Sequence, residues 1–159
     1  MCLNEINGPI IVDIPSDPAS LFLVRCLVER LAQRMQFARE IVQRMVLAVD
    51  EACANIVRHA YSNCRDKRIV LTFSVLTDRL EILIRDFGKS ADPETFKVRD
   101  LEEVRPGGLG IHFIRSAMDE VRYEIPEDGG MLLRLVKYRG SSEERSMDGG
   151  EAECTDQHE

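Results

Sequence analysis

At Arg68 the apolar pattern of this chain changes period, and that change limits the folds open to it more than any other feature. Upstream, Leu21, Val24, Val28, Leu31 and Met35 recur at helical spacing, and so do Ile41, Met45, Ala48, Ala52 and Ile56. Downstream the period is two: Ile69, Leu71, Phe73 and Val75 alternate, Thr77-Asp78 makes a turn, and Leu80, Ile82 and Ile84 alternate again. Two core-packed helices therefore precede a β-hairpin, and the chain mixes both kinds of element. A short β-rich run, Pro9 to Ile14, comes before the helices. It ends at Pro15-Ser16-Asp17-Pro18, where Ser16 or Asp17 can cap a helix and Pro18 suits its first turn. Two further strands, Val121 to Ile125 and Met131 to Tyr138, flank the turn Glu127-Asp128-Gly129-Gly130.

The chain has 159 residues, 44% of them hydrophobic, which suits one domain with a real core. Its net charge of −7 is uneven: residues 141–159 hold seven acids and one base, a balance of −6, which leaves residues 1–140 near −1. The expected organisation is a domain over 1–140 and an acidic disordered tail over 141–159. A nearly neutral domain without a basic stripe argues against a nucleic-acid binder. Five cysteines, with no Cys-x-x-Cys pair, read as reduced, cytoplasmic usage. Cys154 and His158 in the tail lack the companions that a structural metal site needs. No window approaches the roughly 20 apolar residues that span a bilayer, so no membrane role is expected.

Three places break the local logic. In Val49 to Tyr61, polar residues interrupt an apolar helix: Glu51 and Asn55 stand one turn apart on one face, with His59 a further turn along. A carboxylate and a carboxamide there need water, a metal or a ligand. Asp86 then continues the buried phase of Leu80, Ile82 and Ile84 and is followed by Phe87-Gly88. It reads equally as a functional group on the buried face and as the opening residue of a turn. Finally, Gly107-Gly108-Leu109-Gly110 runs into the helical spacing of Ile111, Ile114, Ala117 and Met118. Glycines at a helix start leave N–H groups open to an anion, a phosphate-binding design, although a glycine-rich turn alone is unspecific. Residues 89–106 between them read as a long loop with one helical turn around Glu94 to Glu103.

Asp86-Phe87-Gly88 is also the metal-binding tripeptide of eukaryotic protein kinases, but the order is wrong for that fold. The glycines follow the tripeptide, and no His-Arg-Asp occurs. Taken in order, Glu51-x-x-x-Asn55, Asp86-x-Gly88 and Gly107-Gly108-Leu109-Gly110 resemble the N, G1 and G2 boxes of the Bergerat-fold, or GHKL, ATPases. The run Asp50 to Tyr61, the segment Asp86 to Pro93 and Gly108 to Ile114 resemble most closely the anti-sigma-factor serine kinases of bacterial partner-switching systems, over roughly residues 10–138. The resemblance implies an α+β, two-layer sandwich whose mixed, mostly antiparallel sheet is covered on one face by helices.

It also implies roles. Asn55 would give its side-chain oxygen to Mg²⁺, and Glu51 would be the general base for a serine hydroxyl or water. Asp86 would accept the adenine amino hydrogen, with Gly88 allowing a tight turn beside the base. Gly107, Gly108, Leu109 and Gly110 would meet the phosphates, and residues 89–106 would form the ATP lid. Arg105 serves two readings equally, neutralising a terminal phosphate or facing solvent. His59 reads better as a structural hydrogen-bonding group than as a catalytic one. Ser90 departs from the pattern, because many GHKL proteins carry a second glycine there.

The implied function is an anti-sigma regulatory factor that binds Mg-ATP and phosphorylates a serine or threonine on an anti-sigma-factor antagonist. Its implied partners are a sigma factor and that antagonist, with a homodimer expected by analogy. The alternative is an ATP-binding regulatory module that transfers no phosphate. A histidine-kinase catalytic domain fits less well, since only a short strand and one helix precede the N box.

Overall fold

The computed structural model describes residue 6, residues 8–88 and residues 109–140. The expected tail (141–159), the lid (89–106) with its Glu94 to Glu103 turn, Ser90, Arg105, Gly107, Gly108, Cys2, Cys154 and His158 lie outside the described residues. The elements run β1 (Ile10–Pro15), a 3-10 turn (Pro18–Ser20), α1 (Leu21–Arg34), α2 (Arg39–Asn55), a π-helical turn (Ile56–Ala60), β2 (Arg68–Val75), β3 (Arg79–Asp86), α3 (Leu109–Ala117), β4 (Glu120–Glu124) and β5 (Met131–Tyr138).

The five strands form one sheet in the order β1-β2-β3-β5-β4. Each described pairing is antiparallel. The α+β sandwich expected from the resemblance is the fold observed, with a sheet more uniform than the expected mixed one.

Alternation decides which face is covered. Ile69, Leu71 and Phe73 of β2, Leu80, Ile82 and Ile84 of β3, and Leu133 and Leu135 of β5 are buried. They share one core with Val24, Val28 and Leu31 of α1, Ile41, Met45, Ala48 and Val49 of α2, and Ile114 and Ala117 of α3. Helix α2 lies between its neighbours, packing against both α1 and α3. One charge enters the buried part of β5: Lys137 is buried and its Nζ lies 3.0 Å from Asp119 Oδ1, which compensates it.

The start of α1 separates two residues that the sequence leaves equivalent. Asp17 caps the 3-10 turn that leads into α1, its Oδ1 accepting from the Ala19 N–H at 3.0 Å. Ser16 is buried instead, where its hydroxyl donates to the Cys64 carbonyl and accepts from the Lys67 N–H at 3.1 Å. It fastens the end of β1 to the segment that enters β2.

Candidate functional site

The site is built on the end of α2, where the helix widens. The Tyr61 N–H donates to the Ile56 carbonyl at 3.1 Å, five residues back, and the Asn63 N–H reaches Val57. A π-helical turn of this kind sits most often at functional positions. Upstream of it, Glu51 and Asn55 are partly buried on one face, as their spacing predicts. Arg58 joins them: one of its terminal nitrogens lies 3.0 Å from Glu51 Oε1 and 3.0 Å from Asn55 Oδ1, while its Nε donates to the Ala54 carbonyl at 3.2 Å.

Helix α3 begins against this group. A Cβ added to Gly110 would overlap the Glu51 carboxylate, lying 2.9 Å from its Cδ and 3.0 Å from its Cγ. Glycine is required here for close approach, not for an unusual φ. The start of the glycine helix and the carboxylate of α2, 59 positions apart in sequence, therefore touch.

The far end of the π turn meets the end of β3. Asp86 is 4% exposed, and its Oδ1 accepts from the Gly88 N–H at 2.9 Å. Asp86 both continues the buried phase of β3 and makes the local turn, so the turn reading accounts for its hydrogen bond while its place on the buried face is also observed. Burial pushes its carboxyl above the usual carboxylate range, partly offset by N–H donation from Gly88, by the nearby Arg85 and by the Met131 backbone. A Cβ on Gly88 would come 2.7 Å from the Ala60 carbonyl oxygen, so the strand end is pressed against the turn itself. Gly130, at φ +68°, closes on the Asp86 carbonyl from the β4–β5 turn, where a side chain would collide.

Tyr61 ties these parts together. Its hydroxyl donates to the Arg68 carbonyl and accepts from the Phe87 N–H at 2.8 Å, so the first residue after Asp86 hangs from the residue that ends the π turn. Burial raises its hydroxyl pKa above the ordinary tyrosine value. Phe87 is 44% exposed and lies between two guanidinium groups, 4.7 Å from Arg85 and 5.3 Å from Arg68.

Several neighbours fall out of the chemistry. Asp50 faces α1 and pairs with Arg25 at 2.8 Å. Cys53 is fully buried, and desolvation, with a smaller contribution from Asp50, pushes its thiol up to about 12, so it is inert. His59 is exposed, and its side chain has no hydrogen bond to another described residue, in contrast to the structural role expected for it.

The structure thus brings Glu51, Asn55 and Gly110 to one point and Asp86 and Gly88 to another, joined by the π turn. Leu109 opens α3. Sequence reasoning passed over Arg58, Tyr61 and Gly130. For Arg58 a signal existed, since positions three after Asn55 and seven after Glu51 share their helical face.

These oxygens suit a hard cation. Asn55 and Glu51 already share one positive group, Arg58, and no cluster of three or more His, Cys, Asp or Glu that could hold a metal occurs among the described residues. A divalent ion there would complete its shell with phosphate oxygens and water, as Mg²⁺ does in nucleotide sites.

Helices on one face of this sheet, with a polar site at the end of the middle helix, have the layout of the histidine kinase-like ATPase domains, whose family model matches residues 14–137. Serine-protein kinase RsbW of Bacillus subtilis is 31% identical over 134 residues, covering 79% of this chain and 82% of the relative. RsbW of Halalkalibacterium halodurans is 31% identical over 153 residues, covering 91% and 92%, and that of Bacillus pumilus 32% over 147 residues, covering 86% and 89%. A crystal structure of the RsbU and RsbW domains of a Mycobacterium tuberculosis protein shares the fold at TM-score 0.57 and 16% identity, covering 82% of this chain and 32% of that longer one. The chain belongs to the histidine kinase-like ATPases and, within them, to the family of the serine-protein kinase RsbW. It is an ATP-using, kinase-like domain.

The contact between Gly110 and Glu51 has a measurable consequence. Gly110→Ala will leave the melting temperature within a few degrees, because a flexible carboxylate can swing aside. With Glu51 as the base that the resemblance implies, it will lower phosphoryl transfer by about a hundredfold, since displacing a reacting group by about 1 Å costs that much. A thermal melt beside a labelled-phosphate assay checks both halves.

Proposed function

We propose that this protein binds Mg-ATP and phosphorylates a serine or threonine on an anti-sigma-factor antagonist, and that it otherwise holds a sigma factor inactive. The carrying observation is the meeting of Glu51, Asn55 and the start of the glycine helix at one point. Asn55 Oδ1 is the protein ligand to the metal, and Glu51 Oε1 receives the proton of the attacking hydroxyl. Mg²⁺, when bound, neutralises charge on the phosphates. Asp86 reads the adenine amino group, held in place by Gly88 and by the Tyr61 clamp on Phe87. Gly107, Gly108, Leu109 and Gly110 meet the phosphates, with residues 89–106 as the lid and Arg105 at its end.

The reading extends to a cytoplasmic protein that acts as a homodimer and carries residues 141–159 as an acidic appendage to the 1–140 domain. The free thiols Cys26, Cys53 and Cys64 support a reducing compartment. No described helix is long and apolar enough to cross a membrane.

The test mixes the purified chain with labelled ATP and its cognate antagonist and looks for phosphoserine or phosphothreonine by mass spectrometry. ATP binding by calorimetry without any phosphorylated product would instead identify a regulatory nucleotide-binding module.

A further inference from the structure

The polar end of α2 contains a cation of its own. Arg58 sits on the π turn, and a single guanidinium nitrogen spans the carboxylate oxygen of Glu51 and the amide oxygen of Asn55, 3.0 Å from each. The Nε–H is anchored on the Ala54 carbonyl at 3.2 Å, so the group is held at three acceptors rather than at one. Its side chain is 49% exposed and that of Glu51 33%, which leaves it room to swing into solvent without disturbing the core.

We propose that Arg58 is a resident cation in the nucleotide-free protein, holding the place that a divalent ion takes and leaving when that ion arrives. The inference rests on the reading of Asn55 as a metal ligand. Asn55 Oδ1 can accept the guanidinium or bind a metal at about 2.0–2.1 Å, but a positive group 3.0 Å from the same oxygen repels a dication placed there. Glu51 is in the same position: while paired with Arg58 its Oε1 is oriented and occupied. Release of Arg58 frees both oxygens together, so metal arrival and exposure of the base become one event. Arg58 is therefore a positioning residue. In the nucleotide-free chain it keeps Glu51 and Asn55 facing each other, and it sets the metal concentration at which they change partner. Its seat on the π turn, two residues before Ala60 and three before Tyr61, links that exchange to the segment against which Gly88 and Phe87 rest.

The experiment measures binding of Mn²⁺ alone to the nucleotide-free full chain by electron paramagnetic resonance, for wild type, Arg58→Ala and Arg58→Gln. Both variants remove the charge, and Gln keeps much of the length. Mn²⁺ affinity is expected to rise by about threefold to tenfold in both, the scale of an exposed charge interaction, and the gain should shrink at high salt. A parallel ATP titration at varied Mg²⁺ should show half-saturation at correspondingly lower Mg²⁺. Unchanged or weaker Mn²⁺ binding in both variants overturns the proposal. So does a loss of ATP affinity that is equal in EDTA and in Mg²⁺ while Mn²⁺ binding stays constant, since Arg58 would then serve the nucleotide directly. If wild type binds no ATP but Arg58→Ala still gains Mn²⁺ affinity, the kinase reading fails and the resident-cation role stands.

Discussion

Glu51→Ala will lower phosphoryl transfer to the antagonist by about 10²- to 10⁴-fold, the usual contribution of a general base. ATP affinity will change only a few-fold, because in the proposed site the metal-binding oxygen is that of Asn55, a full turn away. The sharper variant is Glu51→Gln. A glutamine there keeps an oxygen for Arg58, which now sits 3.0 Å from Glu51 Oε1, and it fills the same space beside Gly110. What it lacks is the capacity to take a proton, so its defect should match that of alanine. Single-turnover transfer of labelled phosphate measures this step apart from product release. Substantial transfer by Glu51→Gln would mean that residue 51 shapes the site and does not act as its base.

Asp86→Ala will remove the preference for ATP over GTP and weaken ATP binding by about 10- to 100-fold, as expected for loss of a hydrogen bond to a charged group. Competition between the two nucleotides in a calorimeter reads the ratio directly, and a ratio equal to that of wild type would refute the adenine assignment. The same carboxylate makes a claim about stability. Its pKa is raised on folding, chiefly by desolvation, so the folded chain binds this proton more tightly than the unfolded chain does. The contribution of Asp86 to stability is therefore full below its unfolded pKa and is lost as pH rises through the folded one. Asp86→Asn keeps an acceptor for the Gly88 N–H and should melt at a higher temperature than wild type at neutral pH, with the advantage disappearing in acid. Stability gained by removing a group at a candidate binding site is the expected signature of a residue retained for binding.

How much of this was legible follows from what periodicity can carry. The helical repeat of Leu21 to Met35, the hairpin around Thr77-Asp78 and the partner strand Met131 to Tyr138 are all visible, because burial on one face leaves a period in the sequence. The boundary between α2 and the π turn leaves none. Ile56 to Ala60 reads as more α-helix, since one residue of extra width changes no apolar count. That turn presses on Gly88 and ends at Tyr61, so its absence from the reading also hid the Tyr61 clamp, whereas Arg58 stood at a helical spacing that could have been read. Asp86 stayed ambiguous because its two readings share one sequence signal. Burial against Ile69 and Met131, its register partners, separates them only in three dimensions. His59 shows the opposite failure: one helical turn from Asn55 by counting, it is exposed and its side chain bonds no other described residue.

The π turn has a further consequence, for spacing. One continuous backbone segment carries the Asn55 amide, which faces Arg58, at one end and, at the other, the Ala60 carbonyl and Tyr61 hydroxyl that seat Gly88 and Phe87. The segment is a caliper whose two jaws, in the proposed site one for the phosphates and one for the base, are set by residues 56–60. Removing one residue from it would shorten the gap and rotate one jaw against the other. A point substitution can weaken either jaw alone, whereas a change in the length of this segment would misalign both for any nucleotide.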